Sequence, residues 1–204
     1  HLQALLNDVV SDSRWDMTYL GMQVLIEGLA LAAFGLIRDI AENPLARAVN
    51  AYVMEDEARH VAFGRLALRD LYPQLTEKER GEREEFCAEA CYLMRDRFLA
   101  EELWDNLGLP VDECLRFVNT STAQLEFRTL LFSRIVPTLK DVGLFGTTMR
   151  RVFFDMGVMG YAQINLDELM ADDEATAAKL DADRQEVDAA RRSQVAATIA
   201  AGEH

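Results

Sequence analysis

The sequence predicts an all-α fold, and three observations carry that prediction. Its four prolines, Pro44, Pro73, Pro110 and Pro137, each fall where a helical run of apolar residues breaks. Two helix-start signals are legible, Asn43-Pro44 and the capping-box pattern Thr76-Glu77-Lys78-Glu79. No alternating run of β-branched residues bounded by turn residues occurs, so strands are not expected.

The elements follow in order. A short helix is expected over Leu2 to Val10, ended by the polar turn Ser11-Asp12-Ser13-Arg14. A long helix from about Asp16 to Ala41 comes next, and Asn43-Pro44 opens a second that runs to about Tyr72. The capping box at Thr76 opens a third, reaching about Asn106, where Gly108-Leu109-Pro110 stops it. A fourth is expected from about Asp112 to Ile135, with Pro137 kinking or ending it, and a fifth from Thr147 to Leu169 after Gly143 and Gly146. The expected division is a helical domain over residues 1–170 and an acidic, Ala-rich tail over 171–204, an exposed or loosely docked helix. There is no repeat at a fixed period and no Gly-rich phosphate loop.

Composition narrows the classes. At 204 residues with half of them apolar, the chain can bury one sizeable core. Its 21 basic and 35 acidic side chains leave a net charge of -14, which argues against a nucleic-acid partner or an anionic membrane surface. The three cysteines, Cys87, Cys91 and Cys114, are not a disulfide framework, and a cytoplasmic, reducing setting is expected. Cys87 and Cys91 share an apolar face and read as core. The apolar run from Leu20 to Ile37 is about as long as a bilayer span, which needs roughly 20 residues. Gln23 and Glu27 near its middle favour a core helix over a span. The chain opens without an initiator Met or signal-like segment, so residue 1 reads as an internal position of a longer protein.

Chemistry concentrates in two helices. Glu27 is the only charge in Val24-Leu25-Ile26-Glu27-Gly28-Leu29-Ala30-Leu31-Ala32-Ala33-Phe34 and shares a helical stripe with Leu20, Val24, Leu31 and Phe34. A carboxylate there needs a proton, a cation or a metal; a single arginine or hydrogen bonds would also satisfy it. In Asp56-Glu57-Ala58-Arg59-His60, Glu57 and His60 lie three apart on a face with Val49, Val53, Ala67 and Leu71, while Glu55 and Arg59 form an outward pair. From Glu27 the chain climbs roughly 21 Å to the turn, then descends about 20 to 24 Å from Pro44 to Glu57 and His60, at about 1.5 Å per residue. An antiparallel hairpin therefore sets all three at one level. Oxygen and nitrogen donors in an apolar core suit iron or manganese better than calcium or structural zinc.

Glu27 in an apolar helix, followed 30 residues on by Glu57-x-x-His60, resembles the ferritin-like di-iron carboxylate superfamily, most closely the ribonucleotide reductase small subunit and its oxidase relatives. The resemblance covers residues 15–72. It implies a helical bundle with additional C-terminal helices, and it implies metal ligands at Glu27, Glu57 and His60. Asp56 would stand behind a ligand histidine of the other half-site. The cofactor implied is two iron ions, or manganese and iron. The other half-site, a further Glu and a further Glu-x-x-His, is not visible. His1 reads as a loop or helix-start histidine more readily than as the end of that motif, and half a site is expected to bind metal weakly or not at all.

The activity implied is that of an oxidoreductase, an oxidase or oxygenase using O2 on a small organic substrate, with electrons from an external donor. The alternatives are an iron-handling ferroxidase, a radical-generating subunit and a non-catalytic helical bundle. A homodimer stays open. Glu126, on a stripe with Asn119, Thr122 and Ser133, marks either a substrate channel or a hydrogen-bonded seam between helices. Arg97 and Glu101 read as an i,i+4 ion pair. Packing roles are expected for Trp15, Tyr19 and Tyr52.

Overall fold

A computed structural model describes residues 2–202, with side chains described at 6, 7 and 9–194. It is all-α, with no strand among the described residues. His1 lies outside them.

Helix α1 (Leu2–Ser11) is followed by one continuous helical rod, Trp15–Ile40. The rod comprises α2 (Trp15–Tyr19), a π-helical stretch (Leu20–Ile26) and α3 (Glu27–Ile40). Three residues later comes α4 (Pro44–Leu71), with Asn43 as its N-cap: the Asn43 side chain accepts from the backbone N–H of Leu45 at 2.8 Å, and Pro44 sits at the first helical position. The register of this hairpin shows in its close approaches. The Met54 methyl lies against Gly35, Glu27 faces His60, and Gln23 lies against Gly64. These pairs run in opposite senses along the two helices, so the hairpin is antiparallel and, at Gly64, too tight for a side chain without a shift.

The π-helical stretch departs from the regular α-helix that apolar spacing predicts. Its i→i+5 bonding makes residues four and five apart neighbours. Leu20, Gly21, Val24 and Leu25, all buried, therefore stand on one side. They enter the main core with Tyr72 from the end of α4, Cys87, Cys91 and Met94 from α5 (Glu77–Arg97), and Ile135, Val136 and Leu139 from further along the chain. The rod is long and apolar enough to cross a bilayer by length and composition, yet it contributes this buried row to the core. A smaller cluster, Leu31, Met54 and Val61 with Phe34 and Ala58, fills the other end of the hairpin.

Helix α5 starts at the expected capping box. Thr76 accepts from the Glu79 N–H, and Glu79 accepts from the Thr76 N–H at 2.8 Å. It does not reach Asn106. It stops at Arg97, Ala100 takes the left-handed conformation (φ 55), and α6 (Glu101–Asn106) follows. Phe98 turns inward against Phe127 at 5.6 Å, and the Trp104 indole N–H donates to the Leu99 carbonyl, closing the bend. With the helix broken, no ion pair joins Arg97 to Glu101.

The fourth expected helix is three: α7 (Val111–Thr120), α8 (Thr122–Leu130) and α9 (Ile135–Asp141). Ser121 is extended between α7 and α8, and the Thr120 hydroxyl bonds back to the Arg116 carbonyl, a local bond that competes with helix continuation. Pro137 lies inside the first turn of α9, where its missing N–H costs no helical bond. The fifth expected helix also divides, into α10 (Thr147–Asp155) and a 3-10 turn (Met159–Gln163), because Gly157 takes a positive φ of 71°.

Helix α11 (Leu166–Gly202) runs unbroken through position 171. Buried arginines of the bundle hold its first turns. Arg65 bonds Asp141 at 2.6 Å and Asp167 at 2.9 Å, while Asp173 lies between Arg134 at 2.6 Å and Arg38 at 3.5 Å. Further along, the Tyr52 hydroxyl donates to Asp181 and the Arg184 guanidinium lies over the Tyr52 ring.

Candidate metal centre

Glu27 is the first residue after the π-helical stretch, and α4 presents Glu57 and His60 one turn apart opposite it. One ligand atom from each of the three lies within 4.8 Å of the other two. The Nδ1 of His60 is 3.7 Å from Glu27 Oε1 and 3.5 Å from Glu57 Oε2. Both separations exceed a good hydrogen bond. Among the described residues this is the one group of three or more His, Cys, Asp or Glu side chains so placed.

Burial is graded across the group. The side chains of Glu27, Glu57 and His60 are 17, 24 and 60% exposed, so Glu27 forms the floor and His60 the rim. The fully apolar surroundings read from the sequence hold for Glu27 alone, because the face of α4 bearing His60 turns outward: Val49 and Phe63 on it are exposed. Glu27 Oε2 is buried and nothing donates a hydrogen bond to it. Burial, and next the nearby Glu57 carboxylate, push the Glu27 carboxyl above its ordinary pKa, while His60 pulls it down. An oxygen without a donor, beside a second carboxylate and an imidazole, is a donor set that fits a divalent cation. Two carboxylates and one nitrogen are hard to borderline donors, which suit iron or manganese.

The other residues singled out in the sequence lie around this group or away from it. Asp56 is exposed and pairs with Arg59 at 2.7 Å; Arg59 also pairs with Glu55, as the outward spacing predicts. Glu126 is exposed on α8, and breaks on either side of that helix separate it from Asn119 and Ser133. Tyr19 packs edge-on against Trp15 at 5.1 Å and at a tilt against Phe63 at 5.6 Å, three residues beyond His60 on α4. Cys87 and Cys91 are wholly buried, and burial pushes the Cys91 thiol up to about 12. A cavity of about 440 Å³ between α4 and α11, with apolar walls at Ala51, Met54, Ala58 and Ala62 and charged ones at Arg38, Arg59, Asp167 and Asp173, lies on the side of α4 opposite His60.

The sequence marks Gln23 only as a residue that disfavours a bilayer span, not as part of the site. Its Oε1 is also buried without a donor, and Tyr72 Oη is the one further such atom among the described side chains. The available signal was an amide one turn from Glu27 in an otherwise apolar run. No protein-family model, curated protein or solved structure matches the chain.

Proposed function

We propose that Glu27, Glu57 and His60 form one half of a dinuclear iron, or manganese and iron, carboxylate centre in an oxidoreductase that uses O2 to oxidise a small organic substrate. The observation that carries this reading is the convergence of two carboxylates and an imidazole within 4.8 Å, with a buried Glu27 oxygen that no protein group satisfies. A metal pair held by Glu27, Glu57, His60 and a second set of ligands would supply redox chemistry toward dioxygen, with an external reductant as the source of electrons.

The chain's own residues bind and shape. Glu27, at the junction of the π-helical stretch and α3 and facing α4, offers a carboxylate in low-polarity surroundings, whose charge a cation or a proton would offset. Glu57 and His60, three apart on one helix, present oxygen and nitrogen from the same direction. The exposed apolar surface on this side, Trp15, Ile37, Val49 and Phe63, supports cover by further helices that bring the second set of ligands and exclude water.

Equilibrium titration of the metal-free protein with Mn(II), followed by electron paramagnetic resonance, tests the binding half of the proposal. One bound ion per chain is expected, with affinity at least about tenfold weaker in Glu57→Ala and His60→Ala. Anaerobic Fe(II) loading followed by O2 tests the redox half, through a transient absorbing species that a substrate discharges. A chain whose titration is unchanged by both substitutions would refute the proposal.

A further inference from the structure

We propose that Gln23 is a fourth donor to this cation site, its amide oxygen completing a set of three oxygens and one nitrogen. The inference rests on the metal-site reading above and adds the residue that sets its preference among metals.

Four observations converge on Gln23. Its Oε1 is buried and accepts no hydrogen bond, and the Glu27 Oε2 has the same deficit. Orphan acceptors of this kind are rare in folded proteins, where each stands for a missing partner, an ion included. Two of them lie four residues apart on one helix. Side chains at that spacing are neighbours, about 5–6 Å between Cβ atoms. The π-helical stretch covers Gln23 and ends at Ile26, and its wider turn brings residues four apart closer to a line along the axis than an α-helix does.

The packing of α4 fixes where the Gln23 side chain starts. A Cβ at Gly64 would come within 2.6 Å of Gln23 Cβ and 3.3 Å of its Cγ, so the absence of a side chain at position 64 makes room for Gln23. Gly64 is one turn beyond His60 on α4, just as Gln23 is one turn before Glu27 on the facing helix. Gln23 thus occupies the layer next to the Glu27, Glu57 and His60 layer, with its oxygen withdrawn from solvent and unclaimed. An amide oxygen is a hard, neutral donor. Adding it to two carboxylates and one imidazole favours Mn(II) and Fe(II), which accept oxygen-rich sets, without adding charge to a site already carrying two carboxylates.

The same feature predicts opposite effects on the empty and the loaded protein. In the metal-free protein a buried acceptor without a partner is destabilising, so Gln23→Leu, which keeps the volume and removes the oxygen, should hold or raise the melting temperature. The same change should weaken Mn(II) binding about tenfold. Gln23→Glu keeps an oxygen in place and should retain Mn(II) binding while lowering the melting temperature of the metal-free protein, through repulsion with Glu27 and Glu57.

The experiment is a Mn(II) titration by electron paramagnetic resonance and a melting curve of the metal-free protein, for the natural chain, Gln23→Leu and Gln23→Glu. A Gln23→Leu protein that binds Mn(II) as tightly as the natural chain would overturn the role of Gln23 while leaving the metal site standing. So would loss of binding in Gln23→Glu equal to that in Gln23→Leu, because Gln23 would then serve through its N–H groups. If the natural chain bound no Mn(II), the metal site and the Gln23 inference would fall together. A lower melting temperature for metal-free Gln23→Leu would mark Gln23 as a packing residue and also count against the proposal.

Discussion

At the scale of the residue, Glu27 is where burial and charge meet. Its carboxyl is raised by burial and by Glu57, so in the metal-free folded protein it holds its proton to a higher pH than in the unfolded chain. The sign follows: the stability tied to that proton is present below the ordinary carboxylate range and is lost as pH rises through the raised folded value. Urea unfolding of the metal-free protein between pH 4 and pH 8 should show this decline. Glu27→Gln should flatten it and raise stability near neutrality by on the order of 1 kcal/mol, about 2–4 °C in Tm for a chain of this size. A divalent cation should reverse the decline in the natural chain at concentrations that act more weakly on Glu27→Gln. An equal pH slope in both proteins would remove Glu27 from this account.

At the scale of the element, the hairpin of α3 and α4 depends on close approach and the α5–α6 junction on a bend. Gly64→Ala would place a methyl group 2.6 Å from Gln23 Cβ, a clash that no flexible side-chain end can relieve. Chemical denaturation should show a loss of about 1–3 kcal/mol, despite the better helix propensity of alanine. Ala100 is the one non-glycine residue with positive φ among those described, a conformation that costs an L-residue roughly 1–2 kcal/mol. Ala100→Gly should therefore raise stability by up to about 1 kcal/mol, the entropy of glycine taking back the rest. A neutral or negative result would mean that the Ala100 methyl contributes packing at the bend.

At the scale of the whole molecule, Asp173 ties α11 to two parts of the bundle. Its carboxylate lies between Arg38 of α3 and Arg134, the residue before α9; the three side chains are 10, 11 and 13% exposed for Arg38, Arg134 and Asp173. Asp173→Ala would leave the two guanidinium groups beside each other with only Asp39, which bonds Arg38 at 2.8 Å, to offset them. Removing one partner of a buried pair costs about 3–5 kcal/mol, and this pair should stand at the lower end because Arg38 keeps Asp39. Limited proteolysis should then cut within α11 at protease concentrations that leave the natural chain whole. An unchanged cleavage pattern would show that apolar contacts alone seat this helix.

The sequence by itself determined the helical class, the hairpin, and the level at which Glu27, Glu57 and His60 meet. Those features are local or arithmetic: caps at Asn43 and Thr76 signal helix starts through short-range hydrogen bonds, and a constant rise per residue converts spacing into height. The third expected helix ends short of Asn106 at a bend that a tertiary contact accompanies, whereas the breaks at Ser121 and Gly157 are local. Phe98 turns toward Phe127, and no pattern within residues 76–106 announces a partner so distant in the chain. The π-helical turn before Glu27 was hidden for a similar reason: apolar residues at 20, 24 and 25 fit either winding, and packing against the rest of the core chooses the wider one. Tertiary structure alone therefore decided the exposure of His60, the layer occupied by Gln23 and the docking of α11 through Asp173. Spacing sets which residues share a helix face, but only the neighbours packed against that face decide whether a side chain meets water, protein or an unfilled place for a ligand.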